Sequence, residues 1–353
     1  MAERYAAAAL KNFARALLEK AGLEAQKAGD VALILVEGDL LGHDTHGLAL
    51  LAPYLKELES GAMAKSGQPE VVNSRGATET WDGKRLPGPW LTIRAIDRAT
   101  ALAREFGTGT IVVRRSHHIA CLAAYLGRVA QHGFVAQILC SDPNTASVAP
   151  YGGTTAVFTP DPVAIGFPTQ GDPVIVDVSS SITTNGLTNR LRAQGKKLPH
   201  AWLLDGQGNP SDDPAVLAGV PPGTILPLGG LEAGHKGYGL ALLVEAMTGG
   251  LAGLGRADAR EGWGATVCVQ VFDPEAFGGG SAFTRQMQAV ADACHASPPR
   301  PGMPPVRLPG EGGLARRKDQ LANGVALNPA ILPALTPWAE KFGVTTPGAT
   351  DAG

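Results

Sequence analysis

Residues 109–139, GTIVVRRSHHIACLAAYLGRVAQHGFVAQIL, contain an apolar β-branched run, a polar junction, a helix-period segment and a second apolar run. The pattern predicts a strand over Gly109 to Val113, a helix from Ala120 to His132 closed by Gly133, and a strand from Phe134 to Leu139. Working outward, Val71, Val72, Ala77, Thr78 and Thr80 suggest a hairpin around Ser74-Arg75-Gly76. Further strands are expected at Thr155 to Phe158, Val163 to Phe167, Val174 to Val178 and Thr266 to Phe272. Hairpins mixed with helical crossovers imply an α/β fold with a mixed, largely antiparallel central sheet.

The flanks of this region read as helical. Leu10, Phe13, Ala14, Leu17 and Leu18 recur at three and four, as do Val31, Ile34 and Leu35, with Gly22 and Gly42 as stops. A third helix carries Leu48, Leu51, Leu55 and Leu58 and ends near Gly61. Residues 236–252 read as a buried helix entered through glycines. The proline-rich stretch 297–305 must be an extended connection that returns the chain toward the N-terminal helices. The expected division is a helical part over 1–70, a central α/β domain over 71–283, and a returning segment over 284–353.

Composition narrows the function classes. Thirty Lys plus Arg against 32 Asp plus Glu leave a charge of −2, without the basic excess that nucleic-acid binding needs. The four Cys form no CxxC pair, no apolar run reaches the ~20 residues of a membrane span, and the start lacks a secretory pattern. A cytoplasmic protein that binds neither nucleic acid nor membrane is expected. Gly (46) and Pro (27) are scattered among apolar segments, which favours many short elements over disorder.

Several clusters carry possible chemistry. Asp44-Thr45-His46-Gly47 sets a hydroxyl beside an imidazole at a helix entrance, where His46 could donate a proton near pH 7 or merely pack behind a capping residue. In Arg114-Arg115-Ser116-His117-His118 two His at a strand-to-helix junction point different ways, so one can work while the other packs. His43 and His46 lack the flanking carboxylate of an HExxH site, and no metal is expected. The GxGxxG fingerprint of a standard dinucleotide fold is missing. Glycines around Lys236 could hold phosphate or serve only close packing, and Asp177-Val178-Ser179 ends a strand with polar groups suited to a sugar.

The order and wording of these blocks resemble the type 2 malate/L-lactate dehydrogenase family, which includes ureidoglycolate dehydrogenases, diketogulonate reductases and cyclic-imine reductases. The resemblance spans almost the whole chain, from Asp44-Thr45-His46-Gly47 through Val148-Ala149-Pro150-Tyr151-Gly152-Gly153 and Lys236-Gly237-Tyr238-Gly239 to Leu308-Pro309-Gly310-Glu311. It implies a non-Rossmann NAD(P)-binding α/β fold with a helical part formed by both chain ends. It also implies a homodimer with NAD(P)H as cofactor and a small-molecule substrate, a 2-oxo or 2-hydroxy acid or a related carbonyl or cyclic imine.

By this resemblance His46 is the proton donor, Thr45 stands in the usual Ser position, and His118 lies between nicotinamide and substrate. The segment Ile119, Ala120, Cys121 and Leu122 would contact the cofactor with His118, as would Asp177, Val178, Ser179, Lys236, Pro309, Gly310 and Glu311. Thr159 would contact substrate. Ile119-Ala120 replaces Phe-Gly, and three further departures stand out: Leu50 stands where an Arg usually grips the substrate carboxylate, Thr159-Pro160-Asp161-Pro162 replaces Gly-Thr-Asn-Pro, and Ile182-Thr183-Thr184-Asn185-Gly186 replaces a basic or small segment after the Ser cluster. A metal-dependent hydrolase built on the His cluster and a non-catalytic ligand-binding homologue are the competing readings.

Overall fold

The strand–helix–strand unit is present with its ends shifted. A computed structural model describes residues 3–258 and 262–350. The N-terminal part has strand β1 (Arg4–Tyr5), helices α1 (Ala7–Lys20) and α2 (Ala25–Leu41), and, after a 3-10 turn, α3 (Leu51–Ser60). Strands β2 (Glu70–Arg75) and β3 (Thr78–Asp82) form the hairpin, followed by α4 (Gly88–Phe106) and β4 (Thr108–Ser116). Then come α5 (Ala123–Ala130), β5 (Val135–Ser141), β6 (Pro162–Phe167), β7 (Val174–Ser179) and α6 (Asn185–Ala193). The short strands β8 (Leu203–Leu204), β9 (Pro210–Ser211) and β10 (Thr224–Ile225) precede α7 (Gly230–Glu245) and β11 (Ala265–Phe272). Helices α8 (Gly280–Ala296) and α9 (Glu311–Asn323), strand β12 (Val325–Ala326) and helix α10 (Ile331–Phe342) complete the chain.

Seven strands form the main sheet in the order β2-β3-β4-β11-β5-β6-β7, and only the β3–β4 pair is parallel. Its centre is apolar: Val269 of β11 pairs with Ile111 on one side and Ile138 on the other, all fully buried. The sheet is therefore largely antiparallel, as the residue pattern implies, and non-Rossmann, as the resemblance implies. Both chain ends meet in the helical part. Strand β1 pairs with β12, α10 packs on α1 and α3, and Gln320 of α9 donates to the carbonyls of Asp39 and Leu40 at the end of α2. One apolar cluster runs from α1 and α2 through α4 into the sheet. Among the described residues no helix is long and apolar enough to cross a membrane.

The structure corrects several sequence expectations. Thr155 to Phe158 is not a strand: it makes only an isolated bridge, Val148 to Phe158, between Pro150 and Pro160, which remove ladder donors on either side. Helix α5 starts at Ala123 instead of Ala120, because Ala120 adopts φ 60° and cannot continue a right-handed helix. The glycine-led helix begins at Gly230 and is buried on one face only, with Leu242 and Leu243 exposed on the other. Helix α4 has no counterpart in the sequence reading, although Trp90, Ile93, Ile96, Ala99 and Leu102 recur at three and are all buried.

Helix α4 also fixes the loop that follows β4. A Cβ on Gly88 would stand 2.2 and 2.3 Å from the carbonyl oxygens of His117 and His118. Gly88→Ala is therefore expected to cost about 1–3 kcal/mol as an overpacking change and to push that loop outward. Urea unfolding should show a lower midpoint at an unchanged m-value, and an unshifted midpoint would contradict the packing.

Candidate active site

A cavity of about 640 Å³ is lined by the turn 43–50, the loop 118–122, the strand end 177–182 and Trp263-Gly264 before β11, with residues from 140–145, 159–162 and 184–189 and Leu228 completing its wall. The turn is docked on α2 through Asp39, whose carboxylate accepts the Leu48 N–H at 2.7 Å. Only glycine fits at 47, since a Cβ there would lie within 2.5 Å of the Asp39 carboxylate. Among the described residues no cation pairs with Asp39, and burial lifts its carboxyl to about 7.

Thr45 Oγ1 lies 2.9 Å from His46 Nδ1, which orients the ring and leaves Nε2 for the cavity. Burial, aided by neighbouring His43, lowers His46 to about 4. The sequence expectation of a proton donor near pH 7 is thus modified: the resting imidazole is neutral. The His118 ring lies 5.9 Å from it between centroids and stacks on Trp263 at 4.5 Å. Tyr54 Oη lies 2.8 Å from His118 Nδ1, and the Ala120 N–H points at the same nitrogen at 3.3 Å. An Nδ1 that accepts from this N–H places the ring proton on Nε2. Burial holds His118 well below the ordinary histidine value, so it is a neutral donor. His117 turns the other way, fully buried with Nε2 3.0 Å from Glu57 Oε2, and packs without facing the cavity.

Asp177 Oδ2 accepts the Ala123 N–H at 2.8 Å, and Asp177, Val178, Ser179, Ile119, Ala120, Cys121 and Leu122 line the same cavity. Burial raises the Asp177 carboxyl above the usual range. Thr159 is also in the lining and donates to Asp161 Oδ1 at 2.5 Å. Leu50 lines the cavity too, and among the described residues no Lys or Arg does. The structure does not bring every expected residue here. Lys236 is exposed on α7 outside the cavity. Pro309 and Gly310 border a neighbouring groove, where the Pro309 carbonyl accepts from Ile175 N–H on β7, while Glu311 binds His295 and the Leu308 N–H.

Sequence reading missed Tyr54 and Trp263. Tyr54 shares the Leu51, Leu55 and Leu58 face, and a polar-tipped residue inside an apolar stripe was the available signal. Trp263 had none, because it reaches His118 only through tertiary folding.

Residues 5–336 match the family described as malate/L-lactate dehydrogenase. The chain is 30% identical over 346 residues to an L-lactate dehydrogenase of Cupriavidus necator, covering 96% of this chain and 98% of that one. It is 28% identical to a delta(1)-pyrroline-2-carboxylate reductase of Ancylobacter novellus, covering 91% and 93%. The solved malate dehydrogenase of Pyrococcus horikoshii OT3 superimposes with a TM-score of 0.87 at 25% identity, covering 97% and 96%.

Asp161 occupies the position read as Asn in the family pattern, and it carries a cost. It is fully buried at φ 41°, and among the described residues its Oδ2 has no hydrogen-bond partner. Burial first, then the Glu245 charge, raises its pKa against the opposing Thr159 hydrogen bond and the more distant Arg256. Folding thus retains a proton that the unfolded chain releases above the ordinary aspartate range, so this site destabilises the fold progressively as pH rises. Asp161→Asn, which tolerates the positive φ, should raise Tm, and more at pH 8 than at pH 4. An equal or opposite shift at the two pH values would contradict the assignment.

From the orientation of its two imidazoles to the span of the family match, these observations converge: this chain belongs to the malate/L-lactate dehydrogenase family, and it is a dehydrogenase or reductase.

Proposed function

We propose that the chain is an NAD(P)H-dependent oxidoreductase that moves hydride between the cofactor and a 2-hydroxy or 2-oxo acid or related carbonyl. The observation that carries this reading is one cavity lined both by two neutral imidazoles and by the Asp177 carboxyl. The lining suits a nicotinamide cofactor: Asp177 and Ser179 offer oxygen groups for ribose or amide, and the buried 119–122 loop offers an apolar wall. When bound, the cofactor supplies or accepts the hydride.

The chain's own residues handle the proton. In the tautomer whose Nδ1–H donates to Thr45, His46 Nε2 presents a lone pair that accepts the substrate hydroxyl proton during oxidation. His118 Nε2–H donates to the same oxygen and stabilises its developing charge. In reduction the steps reverse, and His46 must first be protonated, which its burial opposes until negative charge builds on the substrate. Leu50 and a described lining free of Lys and Arg support a second reading inside the family, a cyclic-imine substrate in place of a dicarboxylate. Turnover of a panel of 2-oxo acids and cyclic imines with both cofactors separates the two.

His46→Ala should lower turnover by ~10² to 10⁴-fold with little change in cofactor affinity, and Thr45→Val should lower it less. For oxidation, kcat/KM should hold steady below pH 6.5 and decline only toward about 4, because the free base is the working form. A limb near 6.5, or a His46→Ala variant with normal turnover, would overturn the role.

We also propose a homodimer. Leu231, Leu242 and Leu243 of α7 are large apolar side chains left about half exposed, which association would cover. Light scattering should give about twice 36.3 kDa, and Leu242→Glu with Leu243→Glu should return it toward that single-chain mass. A monomeric parent chain would contradict this.

A further inference from the structure

The cavity holds a second convergence that hydride transfer does not require. His43 comes from the turn after α2, Cys121 from the loop before α5, and Asp177 from β7. Each offers one donor atom, and these atoms all lie within 4.8 Å of one another. Cys121 Sγ is 4.0 Å from Asp177 Oδ2, an oxygen already anchored by the Ala123 N–H. Cys121 is 3% exposed, whereas His43 and Asp177 are half-buried and line the cavity beside it. Three segments far apart in sequence thus bring one nitrogen, one sulfur and one oxygen to a single point.

We infer that His43, Cys121 and Asp177 form an inhibitory site for a zinc-class cation, whose occupancy excludes the nicotinamide cofactor. A thiolate–imidazole–carboxylate set selects a borderline-soft ion over Mg²⁺ or Ca²⁺, and three protein ligands leave a fourth position for water. Zinc–ligand lengths of about 2.0–2.3 Å place tetrahedral donors roughly 3.3–3.8 Å apart, so side-chain rotation closes the site. On binding, the Cys121 S–H bond breaks, its proton passes to solvent, and an S–Zn bond forms, with nothing oxidised or reduced. The metal-site half stands on geometry alone. The exclusion half rests on the proposed cofactor position, because the ion would sit against the Asp177 wall assigned to the nicotinamide cofactor.

The test starts with the metal-stripped full-length protein titrated with Co²⁺ as a spectroscopic probe, and then with Zn²⁺ as its displacer. Binding should produce a thiolate-to-cobalt charge-transfer band in the near ultraviolet. Cys121→Ser should abolish the band, and His43→Ala should weaken binding by about tenfold or more, with circular dichroism confirming that both variants fold. Zinc at about ten times its own Kd should raise the apparent Kd for NADH about tenfold in a fluorescence titration, and chelator should reverse this. Cobalt binding without the band, or unchanged in Cys121→Ser, would overturn the site. A normal cobalt signal with unaltered NADH affinity would overturn the exclusion. If neither NADH nor NADPH binds the metal-free protein, the cofactor reading fails, while the cobalt titration still decides the metal site.

Discussion

The carbonyl oxygens of His117 and His118 lie so close to Gly88 that a Cβ there would stand 2.2 and 2.3 Å from them, closer than any side chain allows. This contact ties the loop after β4 to the start of α4, and other features of the site follow from it. His118 is held where Tyr54 can reach its Nδ1 and Trp263 can cover its face. The neighbouring His117 is forced inward onto Glu57. Ala120 takes a left-handed conformation that delays α5, and the Tyr125 hydroxyl closes the loop on the Ile119 carbonyl at 2.5 Å. A loop so constrained presents the Ile119–Leu122 wall with little conformational freedom left to lose on ligand binding.

Electrostatics at the cavity follow from exclusion of water more than from ion pairing. His46 and His118 are driven neutral, and Asp39, Asp161 and Asp177 are driven toward protonation, chiefly by desolvation in each case. The nearby guanidinium groups are committed elsewhere. Arg190 binds Asp44 outside the lining, and Arg256 binds Glu245 while lying 3.9 Å from Asp161. An uncompensated carboxyl such as Asp39 weakens the fold, yet it is the group that holds the turn bearing Thr45 and His46. Stability is given up where these cavity-lining side chains are positioned.

The helical part and the sheet are not independent in this respect. The turn carrying His46 grows out of α2, which α9 braces from behind through Gln320 and through the Arg317–Glu37 ion pair at 2.5 Å. The cavity's opposite wall belongs to the sheet. Because a single apolar cluster joins α1, α2 and α4 to β4 and β11, the distance between the two walls is set by core packing.

Much of this was legible in the residues themselves. Alternating apolar runs and glycine stops gave α1 to α3 and most sheet strands, because burial periodicity is a local property. The ordered motif blocks, read by resemblance, named the family and pointed to Thr45, His46, His118, Thr159 and Asp177, all of which line one cavity. Tertiary structure alone decided the rest. The resemblance singled out His118, but residue spacing by itself could not say which of two adjacent histidines faces the cavity, since that depends on Gly88 and Glu57, 29 and 60 positions away from His117. Nor could it give the charge of those rings, which depends on what surrounds them. Trp263 against His118, and His43 with Cys121 and Asp177, are meetings of distant segments. Only the packed core fixes such distances, and no local spacing encodes them.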